Sequence, residues 1–187
     1  MTLDKTSLLV SCSVDEGVAA LEKRLHREGF TLGYRPVSAK TVRQALERRA
    51  PNRDALRYGE IDDLCVSVQA LRKGETLITR NVPRSATGPD FKKILIGSGR
   101  RYAKLVRAVL KIHPLPEKRE TLRVSWGKKG GRDAFLRSFW ASGVRPVRFR
   151  ASRLAATVTL EGSKGMVAAE KKCVERLARQ TQGRVTS

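Results

Sequence analysis

Two prolines on either side of Leu115 divide the chain into two segments, and each segment opens with a strand pattern followed by a helix pattern. Proline removes a backbone donor and restricts the residue before it, so regular structure stops at this run. We therefore predict two small units, at residues 1–116 and 117–187. Strands and helices are mixed in both units, which predicts the α+β class.

The first unit begins with a strand over "SLLVSCSV". A helix follows, with a capping box predicted from Ser13 and Glu16, and with Gly29 as its stop. One apolar face is expected on this helix, formed by Val14, Val18, Leu21 and Leu25. A second helix, over "SAKTVRQALERRA", ends at Pro51.

A hairpin comes next, because the strand patterns Leu64–Leu71 and Thr76–Arg80 flank "RKGE", where Gly74 can adopt a positive φ. "NVPRSATGPDF" is expected to be a loop. "KLVRAVLKIHP" is expected to be a strand with Val106, Ala108, Leu110 and Ile112 on one face, although its N-terminal part also contains helix formers.

The second unit repeats the mixture. "ETLRVSW" is a predicted strand, "GKKGG" a turn and "RDAFLRSFWASG" a helix that ends at Gly143. "RPVRFRAS" and "LAATVTLEG" are predicted strands, and "MVAAEKKCVERLARQ" is a predicted amphipathic helix. The order β-α-β-β-α predicts a small unit of ferredoxin-like type.

Several motifs of the first unit occur together in one order: "RYGEIDDL" at 57–64, "VPRSATGPD" at 82–90, "IGS" at 96–98 and "HPLPE" at 113–117. In this order they resemble the FAD-linked oxidases, which have a PCMH-type (vanillyl-alcohol-oxidase-type) FAD-binding domain. The similarity is strongest to the branch of alkyldihydroxyacetonephosphate synthase and glycolate oxidase. The resemblance implies that residues 1–116 are the second subdomain of that FAD-binding domain and that 117–187 are a cap-type unit. It also implies cofactor-binding positions, which are Arg57, Tyr58, Gly59, Ile61, Gly97 and Ser98.

The sequence departs from the family at the cofactor. The family's P-G-G-G-T loop, whose backbone amides hold the pyrophosphate, has no counterpart here, so half of the cofactor site is expected to be absent. The family's G-G-W falls on Arg43-Gln44-Ala45, and its E-G-T-L-G falls on Gly99–Ala103. Glycine there lets the backbone lie against the flavin, and the side chains of Arg43, Arg100 and Arg101 are expected to fill that space. We therefore expect a non-catalytic, degenerate relative, a pseudoenzyme that binds no cofactor.

Charge is the feature of this chain most relevant to partners. The net charge is +21, and residues 91–187 hold 24 Lys and Arg against 6 Asp and Glu. Such a field indicates an anionic partner, which can be a nucleic acid, an anionic lipid or an acidic protein surface, and the macromolecular partners are the ones retained below. The predicted contacts are Arg100, Arg101, Lys104, Arg107, Lys111, Lys128, Lys129, Arg132, Arg145, Arg148, Arg150 and Arg153.

Other chemistry has little support in the sequence. His26 and His113 lack neighbours at metal-ligand spacing, and Cys12, Cys65 and Cys173 are read as buried thiols of a reducing, cytoplasmic environment. No apolar run is long enough to span a membrane. Phe135, Phe139 and Trp140 are expected to form the core face of their helix, while Trp126 and Phe149 stay open as candidates for stacking on bases.

Three hypotheses from different classes remain. The first is a non-catalytic binding or scaffold module for nucleic acid, a ribonucleoprotein or an acidic protein. The second is a small subunit of an FAD-linked oxidoreductase that binds FAD once another chain completes it. The third is a structural subunit of a complex or homo-oligomer, in which the charge serves solubility.

Overall fold

The computed structural model describes residues 1–79 and 90–186. The chain divides into two compact units, Met1–Leu115 and Pro116–Ser187. The predicted loop over "NVPRSATGPDF", apart from Asp90 and Phe91, lies outside the described residues, as does Arg80 at the end of the predicted hairpin.

A five-stranded antiparallel sheet forms the framework of the first unit, in the order β1-β2-β6-β4-β5. Its strands are β1 (Thr2–Asp4), β2 (Leu9–Ser13), β4 (Cys65–Arg72), β5 (Glu75–Ile78) and β6 (Lys104–Lys111). A separate pair joins β3 (Phe30–Thr31) to β7 (His113–Pro114). The predicted hairpin is confirmed, because β4 and β5 pair across Lys73 and Gly74, both of which have positive φ.

In its described residues the first unit also has five helices: α1 (Val18–Arg27), α2 (Val42–Arg48), α3 (Ala55–Tyr58), α4 (Ile61–Leu64) and α5 (Phe91–Leu95). The predicted capping box of α1 is wrong, because the helix begins later: Gly17 is its N-cap and no side chain caps it. The predicted apolar face is correct for Val18, Leu21 and Leu25, whereas Val14 precedes the helix and is buried in the same core. Gly29, with φ of +81°, follows the helix as its stop.

The central strand β6 contains a β-bulge that changes which side chains face the core. Arg107 pairs with Gln69 and Leu105 pairs with Ala70, so Val106 is the extra residue on β6. A bulge shifts the two-residue alternation by one position. The predicted face is therefore wrong at Val106, and Leu105 is buried in its place.

The second unit has a four-stranded antiparallel sheet in the order β11-β8-β10-β9. Its elements are β8 (Lys118–Ser125), α6 (Lys129–Ala141), β9 (Arg148–Ala151), β10 (Ala155–Gly162), α7 (Lys164–Gln180) and β11 (Arg184–Thr186). This βαββαβ order is that of ferredoxin-like units. The strand β11 was not foreseen from the sequence. The predicted "GKKGG" turn is wrong from Lys129 onward, because Gly130 and Gly131 belong to the first turn of α6.

Trp126 anchors the core of the second unit, and two glycines make room for it. The indole is 4% exposed, and its Nε1 donates to Thr181 Oγ1 at 3.2 Å. A Cβ on Gly131 would lie 2.8 Å from the indole Cδ1 and 2.7 Å from the Thr181 carbonyl oxygen, and a Cβ on Gly183 would lie 2.6 Å from the indole Nε1. Small residues at both positions are therefore required by close packing around one side chain.

We expect Gly131→Ala to destabilise the second unit by about 1–3 kcal/mol, since the added methyl overpacks the space beside Trp126. Gly130→Ala is the matched control, because a Cβ there meets nothing within 4 Å. It should be neutral or stabilise the helix by about 0.5–1 kcal/mol. Urea unfolding followed by tryptophan fluorescence reports on this unit, because it holds both tryptophans of the chain. Equal midpoints for the two variants would contradict the packing argument.

Candidate functional site

The segment from Arg57 to Ile61 forms part of the framework of the first unit. The Tyr58 ring lies against Gly33, where a Cβ would meet ring atoms at 2.2–2.7 Å, and its centroid is 4.8 Å from that of His113. Asn52 fixes the neighbouring backbone, because its Nδ2 donates to the carbonyl oxygens of Gly33 and Gly59. Sequence reasoning missed Asn52, which no motif marked.

The next residues of this segment also have structural contacts. Gly59 has φ of +83°, and a Cβ on it would lie 2.9 Å from the side chain of Asp63. Glu60 and Asp63 form a reciprocal capping box at the start of α4, and Ile61 is buried. Cofactor binding by Arg57, Tyr58, Gly59 and Ile61 stays a prediction, and the contacts described are those of a structural turn.

Gly97 and Ser98 lie in the loop after α5, beside Arg49. Gly97 has φ of +80°, and a Cβ there would lie 2.9 Å from Arg49 Cδ and Nε. Arg49 is held in this position, because its Nε lies 3.0 Å from an Asp62 carboxylate oxygen and its Nη2 donates to the Lys93 carbonyl oxygen at 3.2 Å. Arg49 therefore occupies the side of Gly97 toward which a Cβ would point, while the glycine itself stays exposed.

That Arg100 and Arg101 fill the space over this loop stays a prediction, and both side chains are exposed. Arg100 Nε lies 3.6 Å from a Glu47 carboxylate oxygen. A cleft of about 330 Å³ remains at the loop, and Tyr102 lines it together with Arg49, Ile94, Ile96, Gly97, Ser98 and Arg101. Arg49, which the sequence did not single out, lies directly beside Gly97.

Arg43 is buried where the family resemblance places a glycine. Its Nε and Nη2 donate to the two carboxylate oxygens of Asp15 at 2.7 and 2.9 Å, and its Nη1 donates to the Leu105 carbonyl oxygen at 2.6 Å. The hydrogen bonds from Arg43 hold the pKa of Asp15 below its ordinary value. The guanidinium therefore joins α2 to the loop before α1 and to the bulge of β6.

The basic residues of β6 lie on the outer face of the sheet, opposite the core. Arg107 and Lys111 are four residues apart and pair across the sheet with the outward-facing Ser13 and Leu9. Because Val106 is a bulge, Lys104 also points outward, although simple alternation would place it on the inner face. We call Lys104, Arg107 and Lys111, with Arg101 in the turn before them, the basic strip.

The basic residues predicted in the second unit are spread over several elements. Arg148 and Arg150 lie on β9, Arg145 precedes this strand, and Arg153 lies in the turn after it. Lys128 and Lys129 stand at the start of α6, while Arg132 donates to Asp133 and to the Ser152 carbonyl oxygen. That the basic residues of the two units form one patch stays a prediction.

The aromatic residues lie differently from expectation. Trp126 is buried, and Phe149 is half-buried against Phe139 and Trp140, with ring centroids 4.9 and 5.0 Å apart. Trp140, expected in the core, is 55% exposed. Trp126 therefore presents no free ring face on which a base could stack, and the Phe149 ring already packs against two other rings.

The thiols and possible metal ligands show no reactive arrangement. Burial raises the pKa of Cys12 to about 11 and that of Cys65 to about 12, as expected for inert buried thiols. Nowhere in the described part of the chain do three or more His, Cys, Asp or Glu side chains cluster as metal ligands would. In residues 1–79 and 90–186, no helix combines the length and apolar character needed to cross a bilayer.

Comparison with known proteins identifies the relatives of the chain. It is 34% identical over 99 residues to alkyldihydroxyacetonephosphate synthase of Dictyostelium discoideum and 32% identical over 120 residues to that of Caenorhabditis elegans. It is also 27% identical over 115 residues to an uncharacterized FAD-linked oxidoreductase of Escherichia coli. These matches cover 52%, 62% and 60% of the chain. No family model matches.

The fold is confirmed by solved structures. A structure of alkyldihydroxyacetonephosphate synthase superposes with a TM-score of 0.86 at 20% identity, covering 99% of this chain and 40% of that one. The predicted α+β class is therefore correct. The chain spans only 16–24% of the length of the three sequence relatives.

We expect Arg43→Met to destabilise the first unit by about 1–3 kcal/mol, because it removes the guanidinium that satisfies the buried Leu105 carbonyl. Arg48→Met is the matched control, since Arg48 is exposed on the same helix. Hydrogen exchange of the peptides that contain α2 and β6 measures the effect. Equal protection in the two variants would contradict a central role for the buried guanidinium.

His113 should make the first unit less stable in mild acid. Burial, with Lys111 and Arg57 nearby, lowers the pKa of His113 below its ordinary value, and its Nε2 is buried without a hydrogen-bond partner among the described residues. The unfolded chain therefore takes up this proton first, and stability falls as the pH drops below about 6.5. The pH dependence of thermal unfolding between pH 7 and pH 5 should be weaker in His113→Gln. An unchanged pH dependence would assign the acid sensitivity to other groups.

Proposed function

We propose that this chain, a partial-length relative of the FAD-linked oxidases, is a non-catalytic binding module for an anionic macromolecule. The proposal concerns the described chain and its basic surfaces. The observation that carries it is the basic strip: Arg101, Lys104, Arg107 and Lys111 lie on or beside an outer sheet face, and none forms an ion pair among the described residues.

The positions that the resemblance assigns to flavin contact support this proposal. Arg43 stands where the family has a glycine, and its guanidinium is committed to Asp15 and to the Leu105 carbonyl. Arg49 lies beside Gly97 and forms an ion pair with Asp62. Arg43 thus has a structural role at a position where the resemblance places a cofactor-facing glycine.

The basic strip supports an anionic partner through its geometry. Three strand residues repeat along one face of β6, and their charges project from the same side of the sheet. Arg107 has one contact there, in which its Nη2 donates to Ser11 Oγ at 3.2 Å. Cations held on a rigid strand can neutralise several phosphates or carboxylates at once, and such binding weakens steeply as salt increases.

A second candidate function is an FAD-binding subunit that another chain completes. The homology to FAD-linked enzymes favours it, as does the cleft of about 330 Å³ beside Gly97 and Ser98. The glycine that the family places at residue 43 is, however, replaced here by an arginine with a buried guanidinium. We therefore rank this function below the binding module.

The absorbance spectrum of the purified chain separates the two candidates. A flavin-binding subunit should be yellow, with absorbance near 450 nm, or should acquire that absorbance when FAD is added. The binding module should stay colourless with added FAD and should bind heparin or nucleic acid at low salt. Retained flavin would overturn the proposed function.

Charge reversal tests the basic strip. The strip variant combines Arg101→Glu, Lys104→Glu and Arg107→Glu. It should bind heparin and nucleic acid at least tenfold more weakly at about 0.1 M salt, because three attractive charges become repulsive. The matched control combines Lys23→Glu, Arg27→Glu and Arg48→Glu, which change the net charge equally on exposed positions of α1, its C-terminal end and α2. Binding measured by fluorescence anisotropy should fall more in the strip variant than in the control. An equal fall in both would indicate a response to net charge alone.

A further inference from the structure

One face of the second unit's sheet carries no helix of that unit. The inner face of the sheet packs against α6 and α7. It carries the core residues Leu122 and Val124 of β8 and Val158 and Leu160 of β10. By alternation and register, the outer face holds Arg119, Thr121, Arg123, Ser125, Arg148, Arg150, Ala155, Thr157, Thr159, Glu161, Arg184 and Thr186.

Arginines dominate this outer face. Arg123, Arg150 and Arg184 are exposed, and none of them forms an ion pair with a described residue. The one carboxylate that these strands place on the face, that of Glu161, is buried and bound by Arg119. We call Arg123, Arg150 and Arg184 the arginine face.

Strand pairing places threonine hydroxyl groups next to Arg123 and Arg150. Arg123 pairs with Thr186 on one side and with Thr157 on the other, and Thr157 in turn pairs with Arg150. The row across the four strands therefore reads Thr, Arg, Thr, Arg. Neighbouring strands are about 4.8 Å apart, which separates the backbones at Arg123 and Arg150 by about 10 Å.

The aromatic residues of this unit lie on the other side. Trp126, Phe135 and Phe139 are buried in the core between the sheet and its helices, and Phe149 points toward them from β9. Among the described strands, the outer face therefore lacks a ring on which an unpaired base could stack. Sheets that bind single-stranded RNA use such rings, so this face suits a partner whose bases are already stacked and paired.

The chemistry of the face selects phosphate over a lipid surface. Arginine forks match phosphate oxygens bidentately, and threonine hydroxyls add neutral donors. Ala155 is the apolar residue that these strands place on the face, so it offers no side chain of the size that inserts into a bilayer. A duplex concentrates its phosphates twice as densely along its axis as one strand does.

We propose that the arginine face binds the phosphate backbone of a nucleic-acid duplex without reading its bases. This inference rests on the proposed function for the class of partner, and it assigns the contact to a surface other than the basic strip. Arg150 was foreseen as a contact from the sequence, whereas Arg123 and Arg184 are assigned by the strand register.

The test uses the full chain and neutral substitutions. The face variant combines Arg123→Gln, Arg150→Gln and Arg184→Gln. The control variant combines Arg137→Gln, Lys172→Gln and Arg176→Gln. It removes the same charge from exposed positions of α6 and α7. The probes are a 20-base-pair DNA duplex, one of its strands alone, and heparin, each titrated from 50 to 200 mM salt by fluorescence anisotropy.

The wild-type chain should bind the duplex more tightly than the single strand and should show no preference among duplex sequences. The face variant should reduce the slope of log affinity against log salt by about 2–3 for the duplex, since each lost phosphate contact removes about 0.9. Its duplex affinity should fall about tenfold or more at 100 mM salt, while the control changes both quantities little.

Other results separate this inference from the proposed function. A face variant that keeps wild-type affinity and slope, beside a basic-strip variant that loses them, overturns the arginine face and leaves the proposed function standing. A wild-type chain that binds heparin but not the duplex also overturns the arginine face and leaves the proposed function standing. Tighter binding of the single strand overturns the duplex assignment, and a chain that binds none of the probes overturns both proposals.

Discussion

The buried guanidinium of Arg43 is the interaction on which the arrangement of the first unit depends. It is bound by both carboxylate oxygens of Asp15 and by the Leu105 carbonyl, and the Arg43 backbone amide donates to the Val14 carbonyl. Three segments distant in sequence therefore meet at one side chain. Because a buried acceptor without a donor is strongly unfavourable, the strand β6 is fixed in the register that brings Leu105 to Arg43.

That register decides which face of the sheet is basic. The bulge at Val106 turns Leu105 inward and places Lys104 on the same side as Arg107 and Lys111. A strand without the bulge would split these cations between the core and the solvent. Arg43 thus stands where the family resemblance places a glycine of the flavin site. It stabilises the fold, and its contact with Leu105 helps to keep the cations of β6 on the face proposed for anion binding.

Much of the architecture could be predicted from local patterns. The hairpin at Gly74, the apolar face of α1 and the mixed strand and helix order follow from spacing alone, and the motif order from Arg57 to Glu117 indicated the family. The candidate site was less accessible. Arg123 alternates with Leu122 and Val124, so strand periodicity could have placed it on the outer face, but Arg184 could not be placed without β11, which has no clear strand signal. Trp140 was misplaced because helical spacing alone does not show where the core ends.

The sequence by itself determined the α+β class, the family resemblance and the excess of positive charge, because each is carried by composition or by residues close together in the chain. Tertiary structure alone decided which arginines are free and which are bound. Arg43 and Arg49 have partners far away in sequence, and the outward direction of Lys104 depends on a bulge formed by pairing with another strand. Ion pairs and strand register join residues that are distant in the chain, and local periodicity contains no information about such contacts.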